Sequence, residues 1–233
     1  MEKSYLIAGA GSEMARATVK KLRGKETSFT LLSRNKPIYA EAKDNYIPFD
    51  ATNTGLSISD LPDTLNGMAY FPGTISLKPF RGLSEGDFRQ DWEINFLGAV
   101  RILKLALKAL KKGKPSSVLL FSTVAVQTGM PFHSSISAAK GAVEGFCRAM
   151  AAELSPDVRV NAIAPSLTDT ALAKKFLATD QKKEASANRH PLKKYGTADD
   201  IAGIASSLLG EDGAWITGQI FHIDGGLSSL RQL

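Results

Sequence analysis

Short apolar runs alternate with helical patterns along nearly the whole chain, and most of the runs stop at a glycine, a proline or an aspartate. Residues 4–8, 28–33, 46–49, 67–71, 117–122, 158–164 and 219–223 read as strands. Residues 14–22, 87–110, 137–154 and 201–209 read as helices, the second with an interruption near Gly98. Buried strands joined by helices predict an α/β fold, with a doubly wound parallel sheet covered on both faces. The chain has 233 residues, 43% of them hydrophobic, and no Pro/Gly/Ser-rich linker divides it. A single domain over residues 1–233 is therefore expected.

Ligands of such sheets lie beyond the carboxyl ends of the strands. After the first strand come Gly9, Gly11, Ser12 and Met14, a glycine turn opening a helix. Glycines there let the backbone approach a pyrophosphate, whose charge the helix N-terminus stabilises. A tight turn alone would explain them equally well; the order strand, glycine turn, helix favours the dinucleotide. The second strand ends in Ser33-Arg34-Asn35-Lys36 and offers no acid for a ribose 2′-hydroxyl. Arg34 suits a 2′-phosphate, which points to NADP(H) rather than NAD(H). The plainer reading of Arg34 is a surface arginine in a turn.

The net charge is +6 and the sequence pI is near 9.3. Most of the excess sits in scattered lysine pairs, such as Lys111-Lys112 and Lys182-Lys183, which read as solvated helix faces. No zinc-finger spacing or aromatic RNA-binding motif accompanies them, so no nucleic-acid partner is expected. No apolar run is long enough to span a bilayer, and the N-terminus lacks a signal pattern. Cys147 stands alone, which excludes an internal disulfide framework. A cytoplasmic protein without a membrane partner is expected. Cys147 itself reads as a small core residue. His133, His190 and His222 show no metal-ligand spacing, and no metal is expected.

The segment FSTVAVQTGMPFHSSISAAKGAVEGF, residues 121–146, carries the chemistry. With the glycine turn, Asp50 and Ala51, Asn95 in EINFLGAV, the RVNAIAP segment up to Pro165, Thr168, Thr170 and the terminal TGQIFHIDGG, it resembles the short-chain dehydrogenase/reductase family over nearly the whole chain. That resemblance implies a Rossmann-like fold, a nicotinamide cofactor and a carbonyl/alcohol substrate. It places the adenine-contacting acid at Asp50 and active-site positions at Asn95, Thr123 and Lys140. The family's Tyr-x-x-x-Lys is here Ile136-x-x-x-Lys140. Two further departures are Glu13 and Ala15 where the family has glycines, and Tyr70-Phe71-Pro72-Gly73 where it has Asn-Asn-Ala-Gly.

Residues four apart share a helix face, so a tyrosine at 136 would lie beside the Lys140 ammonium and move the proton as hydride moves. Isoleucine can do neither. A positioned general acid or base is worth about 10²–10⁴ in rate. His133, Ser134, Ser135, Ser137 and a water between Thr123 and Lys140 are the candidate substitutes. Three functions stay open: an NADP(H)-dependent oxidoreductase with a changed proton donor, an NADP(H)-binding sensor or subunit partner without catalysis, and, least favoured, a basic nucleic-acid binder. Residues 170–192 are expected to cover the substrate, with Ala171, Leu172, Phe176 and Leu177 as the apolar face. The apolar helices 99–110 and 137–154 suggest a homodimer or homotetramer.

Overall fold

The computed structural model describes residues 2–52 and 55–231. Its strands are β1 (Lys3–Ala8), β2 (Thr27–Ser33), β3 (Asn45–Pro48), β4 (Gly67–Tyr70), β5 (Ser116–Phe121), β6 (Val158–Pro165) and β7 (Ile220–Ile223). They form one sheet in the order β3-β2-β1-β4-β5-β6-β7, and every pairing is parallel. The sequence order reverses between β1 and β4, which opens the ligand crevice at their carboxyl ends. The main helices are α1 (Glu13–Leu22), α2 (Glu85–Trp92), α3 (Gly98–Lys112), α4 (Ala125–Thr128), α5 (Ser134–Leu154), α6 (Asp180–Arg189) and α7 (Ala198–Leu209).

The two-residue alternation along each strand sends its apolar side chains to both faces. From β1, Leu6 and Ala8 join a core that contains Ile102, Ala106 and Leu110 of α3 and Val143, Cys147 and Leu154 of α5. Tyr5 and Ile7 face the other way, into a core with Ala15 and Val19 of α1 and Ile201, Ala205 and Leu208 of α7. Cys147 is fully buried, and burial pushes its thiol up to about 12, as suits a small core residue. The lysine pairs are exposed. Among the described residues no helix is long and apolar enough to cross a membrane.

Three elements differ from the sequence-based expectation. The helix read over residues 87–110 runs from Glu85 to Lys112 and contains a π turn, Glu93–Leu97, immediately before Gly98. Ser84 and Asp87 form a capping box that starts it two residues early. Helix α5 starts at Ser134, three residues earlier than expected, so Ile136 already lies in its first turn. Helix α6 has no counterpart in the reading, because DQKKEASANR is polar all round and buries only Ser186. Its start signal is local: the Thr179 side chain accepts from the Lys182 amide.

Candidate active site

Gly9 turns the chain out of β1 with φ +76°, and a Cβ there would lie 2.8 Å from the Pro72 ring and 3.1 Å from Phe71 Cβ. Only glycine lets the turns after β1 and β4 meet so closely. Gly11 is exposed, and a Cβ there would make only an ordinary contact, 3.9 Å from Ser33 Cβ. Ser12 caps α1, its hydroxyl accepting from the Ala15 amide at 3.2 Å. Ala15 is fully buried and Met14 packs on the same core, so alanine fills the third glycine position without strain. Glu13 does not reach free into solvent: its Oε1 accepts from the Ala171 amide at 3.0 Å, tying α1 to the segment after β6.

Ser33 is buried and donates to the Asn35 carbonyl at 2.7 Å. Arg34 is exposed and, with Asp50, lines a cavity of about 380 Å³ beside β3. Asp50 accepts from the Thr52 hydroxyl and amide; these bonds, and then the Arg34 charge, hold its carboxyl below the usual range. The Ala51 carbonyl accepts from Arg101.

Tyr70 and Phe71 build the floor under the crevice. The Tyr70 hydroxyl donates to the Ile94 carbonyl, within the π turn, at 2.7 Å. Phe71 packs against Phe121 with ring centres 4.6 Å apart and the rings tilted by 33°. Pro72 and Gly73 then lead to Thr74, whose hydroxyl donates to Asp91 Oδ1 at 2.5 Å. Asn95, in the π turn, donates to Thr74 Oγ1 at 2.7 Å and to the Asp91 carbonyl at 2.8 Å, and accepts from the Thr74 amide. Gly73 separates this cluster from Lys140. A Cβ there would lie 3.2 Å from Asn95 Oδ1 and 3.7 Å from Lys140 Nζ.

Lys140 lies one helical turn after Ile136 in α5, and both are buried. Its Nζ donates to the Phe121 carbonyl at 2.7 Å. Burial pulls its pKa down to about 8, and the Asp91 carboxylate pushes back. Thr123 leaves β5 partly exposed, and its hydroxyl accepts from the Ala125 amide at the start of α4. His133 is half-buried just before α5, with Nδ1 held by the Pro131 carbonyl at 2.7 Å. Ser135 is buried with no hydrogen-bond partner for its hydroxyl among the described residues, and Ser137 donates to the Ala125 carbonyl. These two flank Ile136 in the first turn of α5.

After β6, Pro165 accepts from the Val124 amide. Thr168 and Thr170 are buried, each hydroxyl donating to a carbonyl two residues back. Of the residues expected to form the cover face, Ala171 and Leu172 are exposed, Phe176 is half-buried and Leu177 is buried, and Ala173 is the buried residue of the short helix Ala171–Phe176.

The structure thus brings Gly73, Asn95 and Lys140 into one cluster, with Ile136 on the Lys140 face, and lines the glycine turn, Arg34, Asp50, Thr123 and the Pro165–Thr170 segment along the same edge of the sheet. The sequence reading missed Thr74, Asp91 and the Ser166–His190 pair, in which Ser166 Oγ and His190 Nε2 are 2.8 Å apart. The spacing of Asp91, four before Asn95, was the available signal for the second of these.

A model of the family described as enoyl-(acyl carrier protein) reductase matches residues 58–228. The chain is 29% identical over 189 residues to 2-(S)-hydroxypropyl-CoM dehydrogenase 3 of Xanthobacter autotrophicus, covering 77% of this chain and 74% of that one. It superposes on a short-chain type dehydrogenase/reductase from Mycobacterium ulcerans with a TM-score of 0.88 at 24% identity, covering 99% and 91% of the two chains. It superposes on ElxO with NADP bound with a TM-score of 0.89 at 22% identity, covering 99% and 100%.

Proposed function

Because this chain belongs to the short-chain dehydrogenase/reductase family, we propose that it is an NADP(H)-dependent oxidoreductase of a small carbonyl or alcohol, with an altered proton donor. The observation that carries this reading is the Gly73–Asn95–Lys140 cluster set beside the crevice that the glycine turn opens. The residues present fit a dinucleotide. Gly9 makes the positive-φ turn, a Cβ on the exposed Gly11 would meet only Ser33 Cβ, and Glu13 is turned onto the Ala171 amide.

The turn from Gly9 through Gly11 to Ser12 and Met14 would hold the pyrophosphate, Arg34 the 2′-phosphate, with Ser33 at its base, and Asp50 and Ala51 the adenine edge. Gly73, Lys140, Pro165, Thr168 and Thr170 would hold the nicotinamide half. The bound cofactor supplies or accepts the hydride. Lys140 provides a fixed positive charge on the ribose side, and Thr123 faces the substrate carbon. Asn95 holds the Thr74 loop against α2 and so fixes Gly73. Ile136 keeps water from the Lys140 face and moves no proton. The candidates for that role are His133, held through Nδ1 by the Pro131 carbonyl, and water at Thr123.

The same lack of a phenol favours a second reading, an NADP(H)-binding sensor or subunit partner without catalysis. Titration with NADPH and NADH, followed by a carbonyl panel with the tighter cofactor, separates the two. Turnover that depends on NADPH supports the enzyme. Tight NADPH binding with no turnover supports the sensor. Failure to bind either dinucleotide overturns both.

A further inference from the structure

Asp91 and Lys140 are both buried, at 1% and 7% exposure, and they come from different helices that pack together. Nothing in the proposed chemistry uses Asp91. One of its oxygens takes the Thr74 hydroxyl, and the other, Oδ2, has no hydrogen-bond partner among the described residues. A carboxylate taken out of water with half its acceptors empty is costly unless a positive charge compensates it. The other buried aspartate, Asp224, is satisfied by the Gly226 and Ser228 amides. Asp91 is placed differently: its neighbours Thr74 and Asn95 form the wall of the Gly73 gap, and Lys140 Nζ forms the other side of that gap.

We propose that Asp91 is the counter-ion of Lys140, a positioning residue whose buried carboxylate, fixed by Thr74 and Asn95, keeps the ammonium charged in a site that has no phenol to share it. The functional meaning rests on the oxidoreductase reading; the charge pairing is a property of the chain alone. The two groups do not touch, and the interaction runs across the Gly73 gap. The remaining neighbours of Lys140 in that gap are dipoles: the Phe121 carbonyl from β5 and the Asn95 amide from the π turn. Asp91 is the charged group whose field acts on Lys140, and its sign favours the ammonium against the burial that opposes it. The short Thr74–Asp91 bond keeps the carboxylate from rotating away.

The test is the titration of Lys140 in the full chain without dinucleotide, followed by carbon-13 and nitrogen-15 NMR of labelled lysine, with the resonance assigned by its loss in Lys140→Met. The native midpoint is expected near pH 8. In Asp91→Asn it should fall by about one pH unit or more, the size typical of removing an opposite charge at this range. Asp91→Leu, which fills the space without an unpaired polar atom, should lower the midpoint likewise and guards against an unfolded asparagine variant. A midpoint that stays or rises in the folded variants overturns the proposal. NADPH affinity, read by fluorescence against pH, should decline through the Lys140 midpoint and decline at lower pH in Asp91→Asn. A shifted midpoint with no NADPH binding at any pH keeps the counter-ion and overturns the cofactor reading. NADPH binding with an unshifted midpoint does the reverse.

Discussion

Tyr70 and Gly98 interlock: a Cβ on Gly98 would overlap the Tyr70 hydroxyl, and that hydroxyl donates to the Ile94 carbonyl at 2.7 Å. The π turn and the aromatic strand end therefore require each other. Tyr70→Phe takes the donor from the partly buried Ile94 carbonyl and should cost about 0.5–1.5 kcal/mol in urea unfolding. Gly98→Ala should cost at least as much by overpacking, about 1–3 kcal/mol. In the double variant the overlap with the hydroxyl is gone, so the combined loss should be smaller than the two single losses together. Simple additivity would mean that the two residues do not interlock in solution.

Arg34 sits exposed above the cavity it shares with Asp50. Arg34→Asp should invert the cofactor order from NADPH over NADH to NADH over NADPH, measured as a ratio of dissociation constants. An unchanged ratio would leave Arg34 as a surface residue and remove the main support for NADP(H).

Ile136 and Lys140 are in register on α5, so a tyrosine at 136 would stand on the Lys140 face. If the native carbonyl reduction is slow, Ile136→Tyr should raise kcat by roughly 10²-fold or more. A fast native enzyme that ignores this change, and that His133→Ala cripples, would assign the proton to His133 instead.

Burial holds Lys140 near 8 against the ordinary lysine value of 10.5. The unfolded chain thus binds more protons between those two values, and the stability contributed at this position rises with pH across that window. Below pH 8 the folded chain carries the whole cost of the buried ammonium, about 3 kcal/mol for a depression of that size. Lys140→Met carries none. Its stability relative to the native chain should be most favourable below pH 8 and should decline toward pH 10.5 by roughly that amount, as measured by denaturant unfolding at each pH. A flat difference would mean that Lys140 keeps an ordinary pKa.

Trp92 is 40% exposed and begins an aromatic row that runs inward through Phe96 to Phe146, with ring centres 4.7 and 5.6 Å apart. Beside it a groove of about 640 Å³ lies between α2 and α5, lined by Phe88, Trp92, Leu97, Ala138 and Ala139. Light scattering should give a mass of at least twice 25.0 kDa, and Trp92→Arg should lower it toward one chain. A native mass near that of one chain at micromolar concentration would exclude the homo-oligomer.

The sheet was legible because its central strands bury both faces and most strands stop at a turn residue; β5, SSVLLF, is buried at every position. The ligand edge followed from that order. What escaped the sequence was set by single contacts rather than by periodicity. Helix α6 presents no apolar stripe, and the early start of α5 follows no Ser/Thr/Asp/Asn cap. Tyr70 and Phe71 read as losses from the family pattern, yet each has a partner of its own, the Ile94 carbonyl and the Phe121 ring. Asp91 was hidden among the polar residues of a helix that reads as half-exposed, because only the fold shows that this one carboxylate points inward.

Glu13 fastens the glycine turn to Ala171. One carboxylate therefore joins the two sides of the crevice: whatever draws Glu13 away at the glycine turn also frees the Ala171 amide, so the start of α1 and the segment after β6 are coupled through a single bond.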